Sequence, residues 1–208
     1  MDQKQYWDNL AETKEFTTPF QADEFMRFVG REKLILDIGC GYGRTMNEMR
    51  GLGYERLLGM DFSGKMIERG RKLFPGLDLR VMESSTIALP DESVDTAVLF
   101  AVLTCIRDDD GQRFLIEEIR RVLKPGGIIY VNDFLLNTDE RNLQRYDQFK
   151  DLYGYGVFEL PEGGTCRHHE IKWMEELLSD FTRLKLETVT FTTMNGHQSN
   201  GFFYFGRK

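Results

Sequence analysis

The sequence predicts an α/β fold, with a mostly parallel seven-stranded sheet, helices on both faces and a C-terminal antiparallel hairpin. Three observations carry this. Short apolar runs alternate with segments of helical period between residues 34 and 134. Glycine, proline or a capping residue stands at most of the joints between them. Two closing β segments flank a loop containing Asn195-Gly196. Repeated strand-helix alternation of this kind favours parallel strands joined by right-handed crossovers.

The elements follow in order. Residues 34–37 are an apolar run ending at a glycine cluster, and the pattern after Arg44 is helical until Gly51 and Gly53 interrupt it. Residues 56–61 read as a second buried strand. Ser63 then caps a helix with Met66, Ile67, Gly70 and Phe74 on one face, ended by Pro75. Residues 77–83 set Leu77, Leu79 and Val81 against polar neighbours as a third strand. Residues 94–103 are nearly continuous apolar sequence, as a central parallel strand buried on both faces requires. Helical spacing returns after Asp108-Asp109-Asp110, whose charge suits a helix amino terminus. It places Leu115, Ile119, Val122 and Leu123 on one face and stops at Lys124-Pro125-Gly126-Gly127. Residues 128–134 supply strand five, Met174, Leu177, Leu178 and Phe181 a last helix, and residues 184–194 and 202–205 the closing hairpin.

A chain of 208 residues, 41% hydrophobic and 29% charged, is expected to fold as one domain with a substantial core. Residues 1–30 and 137–169 stand outside the alternation. Ligands of open α/β sheets bind beyond the carboxyl ends of the strands, so these two stretches are expected to act as an N-terminal helical lid and a substrate cap. The net charge of −7 would repel a phosphate backbone, which makes nucleic acid a poor substrate. No stretch is apolar for long enough to span a bilayer, and the first residues lack the apolar core of a signal peptide, so a cytoplasmic protein without a membrane partner is expected. Cys40, Cys105 and Cys166 are widely separated and form no C-x-x-C pair, so neither a disulfide framework nor a metal site is indicated. Nothing in the sequence assigns an oligomeric state.

The motif that carries chemistry is Leu36-Asp37-Ile38-Gly39-Cys40-Gly41-Tyr42-Gly43-Arg44, set between a predicted strand and a predicted helix. Glycines there admit turn conformations closed to other residues and let a ligand approach the backbone. The nicotinamide fingerprint G-x-G-x-x-G fails, because its third glycine would fall on Arg44, which argues against a dehydrogenase. Asp61, ending the second strand, stands where a carboxylate accepts hydrogen bonds from both hydroxyls of a ribose. Glu83-Ser84-Ser85, after the third strand, offers an acceptor for an exocyclic amine and an N–H for a ring nitrogen. Together these describe an adenosine pocket.

With these residues the sequence resembles the class I S-adenosylmethionine-dependent methyltransferases, specifically their type 11, small-molecule subgroup, from about residue 34 to residue 127. The resemblance implies a Rossmann-like fold, S-adenosyl-L-methionine as cofactor, S-adenosyl-L-homocysteine as product and a small-molecule substrate. By motif it implies a glycine loop at Asp37, Gly39, Cys40, Gly41 and Gly43, a ribose-binding acid at Asp61, and adenine contacts from Phe62, Met66, Glu83 and Ser84. It also implies that Phe100 and Ala101 offer carbonyls to the methionine ammonium group, and that Tyr6 and Trp7 belong to a lid. Leu89-Pro90-Asp91-Glu92-Ser93-Val94-Asp95 departs somewhat from the family's L-P-F-x-D-x-S-F-D stretch. Amine methyltransferases acting on DNA bases or glutamine carry an Asn or Asp followed by Pro-Pro-Tyr or Pro-Pro-Phe. Phe100-Ala101-Val102-Leu103-Thr104 replaces that clamp, which turns the expectation further from nucleobases.

Methyl transfer from a sulfonium is an in-line displacement, accelerated largely by alignment. A hydroxyl or protonated amine acceptor would also need a base, for which His168, His169 and Asp133 are the candidate catalytic residues, with Tyr153 and Tyr155 nearby. A non-catalytic S-adenosylmethionine-binding module that regulates a partner, and transfer of a different group from the same cofactor, are alternatives at this level.

Overall fold

Strands buried on both faces organise the molecule. The computed structural model describes residues 2–208. A seven-stranded sheet has the order β3-β2-β1-β4-β5-β9-β8, built from β1 (Ile35–Ile38), β2 (Leu57–Asp61), β3 (Asp78–Val81), β4 (Val94–Phe100), β5 (Leu123–Phe134), β8 (Thr182–Thr192) and β9 (Gln198–Arg207). β1 to β5 pair in parallel, and β9 is antiparallel to both neighbours. This is the Rossmann-like arrangement expected from the alternation.

Neighbouring residues on the central strands feed opposite layers, as a two-residue side-chain period demands. Leu36, Ala97, Leu99, Ile129 and Val131 pack with Leu115, Ile116 and Ile119 of α5 (Asp109–Val122) and Met174 of α7 (Ile171–Leu177). Ile35, Val98 and Tyr130 pack on the other side with Phe25 of α2 (Ala22–Phe28), Met46 and Met49 of α3 (Arg44–Gly51) and Ile67 of α4 (Gly64–Leu73). Two helix starts are capped by the residues the sequence nominates. Ser63 Oγ accepts from Met66 N at 3.1 Å, and Asp108 accepts from Gly111 N at 2.8 Å.

Some boundaries differ from the sequence reading. β4 stops at Phe100 rather than running to residue 103, because Ala101 takes a left-handed φ of 56° and the chain coils into a short 3-10 turn, Leu103–Cys105. The Lys124-Pro125-Gly126-Gly127 segment lies within β5 as an irregularity. Leu123 pairs with Val94 and the next paired residue, Ile128, with Thr96. β3 ends at Val81, two residues short of the predicted end.

The two stretches outside the alternation have structure of their own. Residues 1–30 contain α1 (Gln3–Leu10) and α2, and residues 137–169 contain α6 (Glu140–Tyr153) and a two-stranded hairpin of β6 (Val157–Glu159) and β7 (Thr165–Arg167). α1, α6 and the hairpin border the carboxyl edge of the sheet, where β1 pairs with β2 on one side and β4 on the other and the strand order reverses, whereas α2 packs on a face of the sheet. Such a switch point opens a crevice. No helix among the described residues is long and apolar enough to cross a membrane.

Candidate active site

A cavity of about 850 Å³ occupies that crevice. Its floor is the end of β1 and the turn after it. Gly39 N and Cys40 N donate to Met60 O at 2.8 and 3.1 Å, which ties the turn to β2. Gly41, with φ of 56°, lies against Phe16; a β-carbon there would come within 2.5 Å of the ring. Only glycine lets that aromatic side chain rest on the turn.

Two carboxylates from adjacent strands border this floor and are held differently. Asp61 accepts from Gly41 N at 2.8 Å and Ser63 N at 2.7 Å, one on each oxygen. Burial raises its pKa, and those two N–H groups oppose the shift. Asp37 is fully buried, and neither of its oxygens has a hydrogen-bond partner. Burial, reinforced by the neighbouring Asp61, pushes its pKa up to about 8. A buried carboxylate without a donor is costly unless a ligand supplies one. The side-chain-poor turn, the strand-end acid Asp61 and the open Asp37 fit an aminoacyl nucleoside: ribose hydroxyls toward Asp61, an ammonium group toward Asp37.

The rest of the chamber comes from farther along the chain. Tyr6, Trp7, Phe16, Phe62, Met66, Phe100 and Ala101 line it, as do Phe114, Phe134, Phe158, Leu160, Arg141, Arg145 and His168. α1 is fastened at both ends of this wall. Asp8 accepts from Ser63 Oγ at 2.6 Å and Lys65 N at 3.2 Å. Gln3 Nε2 donates to Cys105 O at 3.0 Å and Thr165 O at 2.5 Å, joining the turn after β4 to the β6–β7 hairpin.

Comparison with known proteins agrees with this geometry. A family model described as "Methyltransferase domain" matches residues 36–131. A probable S-adenosylmethionine-dependent methyltransferase of Mycolicibacterium smegmatis is 32% identical over 80% of this chain and 76% of that protein. The chain belongs to the S-adenosylmethionine-dependent methyltransferases. The 27-O-demethylrifamycin SV methyltransferase of Amycolatopsis mediterranei is 31% identical over 73% of this chain, which spans 58% of that larger protein. A crystal structure of a SAM-dependent methyltransferase from Methanosarcina mazei superposes with a TM-score of 0.83 at 27% identity, covering 92% of this chain and 98% of that one. The enzyme is thus an S-adenosylmethionine-dependent methyltransferase of class I.

The methyltransferase does not bring all the residues singled out in its sequence to the cavity. Asp37, Gly39, Cys40, Gly41, Asp61, Phe62, Met66, Phe100, Ala101, Tyr6, Trp7 and His168 line it. Gly43 caps α3 with φ of 82° and sits against Leu77 and Leu79, below the cavity floor. Glu83 and Ser84 are exposed and outside the lining, which takes Met82 and Ser85 instead. The early end of β3 is the reason. The Met82 N to Asp61 O bond at 2.8 Å is the last rung of the ladder, and beyond it the chain leaves the sheet in a bend, with Met82 buried and the next two residues exposed.

Of the three residues named as catalytic, two lie outside the cavity lining. Asp133 is fully buried, lies outside the lining, and accepts from Thr104 N at 3.2 Å and Phe134 N at 2.8 Å, so it braces the 3-10 turn. Burial holds its pKa up near 7 against those donors. His169 is sealed in a network: Gln112 Nε2 donates to its Nε2 at 2.8 Å, and its Nδ1–H donates to Phe134 O at 3.0 Å. Burial drives its pKa down to about 3, so it stays neutral. His168 alone of the three reaches the cavity. Tyr153 donates to Glu159 at 2.6 Å on the outer surface, and Tyr155 is exposed.

The sequence reading missed Arg141, Arg145, Phe158 and Leu160 because it left residues 137–169 without secondary structure. A signal was present: Asp139 caps α6, accepting from Asn142 N at 3.2 Å, and Leu143, Tyr146, Lys150 and Tyr153 recur at spacings of three and four before Gly154.

Proposed function

We propose that this methyltransferase holds S-adenosylmethionine along the ends of β1, β2 and β4 and passes its methyl group to a small molecule lodged under α6 and the β6–β7 hairpin. The observation that carries this is the single chamber running from the glycine turn to Phe158, Leu160 and His168. Donor and acceptor would meet there away from bulk water.

When bound, S-adenosylmethionine supplies a methyl group on a sulfonium, and S-adenosylhomocysteine is the product. The chain's part is alignment and exclusion of water. Asp37 offers its unpartnered carboxylate to the ammonium group, and Asp61 its free lone pairs to the ribose hydroxyls. Phe62 and Met66 lie where adenine would be flanked, with Met82 and Ser85 in the place expected of Glu83 and Ser84. Trp7 and Phe16, ring centroids 6.0 Å apart, form part of the lid contributed by residues 1–30. Residues 137–169 form the substrate cap.

A small acceptor fits the largely aromatic and aliphatic walls, and the net charge of −7 disfavours nucleic acid. The Amycolatopsis relative, named for a rifamycin derivative, supports a small-molecule acceptor by analogy. The cytoplasm suits the three free cysteines.

The deciding experiment incubates the purified protein with methyl-labelled S-adenosylmethionine and a metabolite extract, followed by mass spectrometry. Labelled low-molecular-weight products that disappear with Asp61→Ala are expected. Cofactor bound but no transfer to any component would favour a regulatory module, and a product carrying a heavier group would favour a different transfer.

A further inference from the structure

Arg145 projects from α6 into the chamber without a counter-ion. It lines the cavity together with Phe158, its guanidinium carbon stands 3.5 Å from the centroid of the Phe158 ring, and it forms no ion pair among the described residues. Its Nε is buried and unpartnered. A cation in that setting is under-compensated: stacking on an aromatic face stabilises it and the Tyr146 oxygen takes one of its donors, yet its Nε–H has no acceptor and no carboxylate balances its charge. Arg141, one turn earlier on α6, borders the same cavity and pairs only loosely, at 3.8 Å, with Asp139.

A second donor stands beside it, and the hydrogen-bond network fixes its tautomer. Asn137 Oδ1 accepts from Asn200 N at 2.7 Å, so Asn137 Nδ2 is a donor group, shared among Leu135 O at 2.9 Å, Ser199 Oγ at 3.1 Å and His168 Nδ1 at 3.2 Å. The Tyr146 oxygen accepts from Asn137 N at 3.3 Å and from the Arg145 guanidinium, which leaves its own hydrogen for His168 Nδ1 at 2.6 Å. His168 Nδ1 is therefore an acceptor, and the ring's hydrogen is on Nε2, which has no partner among the described residues. Burial and the nearby Arg145 keep the ring neutral. A histidine in this state donates a hydrogen bond into the cavity and does not take a proton from it.

We infer that the methyl acceptor carries a carboxylate, bound by the Arg145 guanidinium and the His168 Nε2–H, with its apolar body against Phe158, Leu160 and Phe114. This deepens, and rests on, the methyl-transfer reading. Arg plus a neutral N–H donor is a suitable grip for a planar anion, and the surrounding low-dielectric wall strengthens it. The glycine turn, Asp37 and Asp61 belong to other elements, so the carboxylate grip and the cofactor grip are separable.

The test uses the full chain saturated with S-adenosylhomocysteine, titrated in a calorimeter with a series of arylalkanoic acids from phenylacetate to 4-phenylbutyrate and their primary amides. At least one acid is expected to bind about tenfold or more tighter than its amide, as a charge-assisted hydrogen bond would give. Arg145→Met should abolish that preference and Arg145→Lys retain part of it, both leaving S-adenosylhomocysteine affinity within about twofold of the parent because the two grips share no residue. Failure of every acid to bind, equal affinity of acid and amide, a preference that survives Arg145→Met, or a parallel loss of S-adenosylhomocysteine affinity in that variant overturns the inference. Failure of the unaltered protein to bind S-adenosylhomocysteine overturns the methyl-transfer reading instead.

Discussion

Asp37 and Asp61 end neighbouring parallel strands and face one cavity, but only Asp61 is satisfied by the protein, through the N–H groups of Gly41 and Ser63. The two carboxylates therefore have different work to do, and they respond differently to pH and to substitution.

For Asp37 the expectation concerns protons. Buried beside Asp61, it holds its proton up to a pKa of about 8. A bound ammonium group favours the ionised form, so cofactor binding below that pH should release a proton, and affinity should rise with pH until about pH 8. Calorimetry of S-adenosylhomocysteine binding at pH 6.5, in buffers of differing ionisation enthalpy, reads the release directly. It should be small at pH 9 and missing in Asp37→Asn; an unchanged proton count in that variant would contradict the assignment.

Asp61 braces the turn, and in the function proposed above it also receives the ribose. Asp61→Ala should weaken S-adenosylhomocysteine binding by about a hundredfold, since it removes hydrogen bonds to a charged acceptor and leaves two N–H groups unpaired. Equal affinity of parent and variant would count against the ribose role.

His169 gives a test of structure against catalysis. Its folded pKa of about 3 lies below the ordinary 6.5, so the folded state prefers the neutral ring. The stability this contributes is complete above pH 6.5 and declines as the pH falls from there toward 3. His169→Gln should flatten that part of the acid unfolding curve and lower the melting temperature, while leaving the pH profile of turnover where it was. A displaced kinetic pKa would restore His169 as a base.

Gly70 of α4 lies so close to the turn that a β-carbon would stand 2.7 Å from Tyr42 O. Gly70→Ala should force α4 away from the turn and destabilise the fold by about 1–3 kcal/mol, read as a lower denaturation midpoint. Cofactor affinity should fall with it.

The sheet, its order of elements and the residues at the glycine-turn end of the cavity were legible because each rests on local chemistry: an apolar run, a glycine turn, an acid at a strand end. Asp37, Gly41 and Asp61 reach the cavity on that basis alone. Glu83 and Ser84 went astray because the chain leaves the sheet directly after its last rung, Met82 N to Asp61 O, and no pattern of side chains announces it. Adjacent histidines proved least legible. His168 and His169 differ by one residue, yet the first lines the cavity and the second is enclosed by Gln112 and Phe134, a distinction set by partners 22 to 57 positions away. Arg145 was hidden for another reason, since its meaning comes from a missing counter-ion and not from its presence.

The fork of Gln3 has a mechanical consequence. One amide nitrogen stitches α1 both to the exit of β4, at Cys105 O, and to the β6–β7 hairpin, at Thr165 O. The amino-terminal helix cannot swing outward without unfastening both seams, so any movement of α1 is mechanically tied to the two stretches of wall it joins.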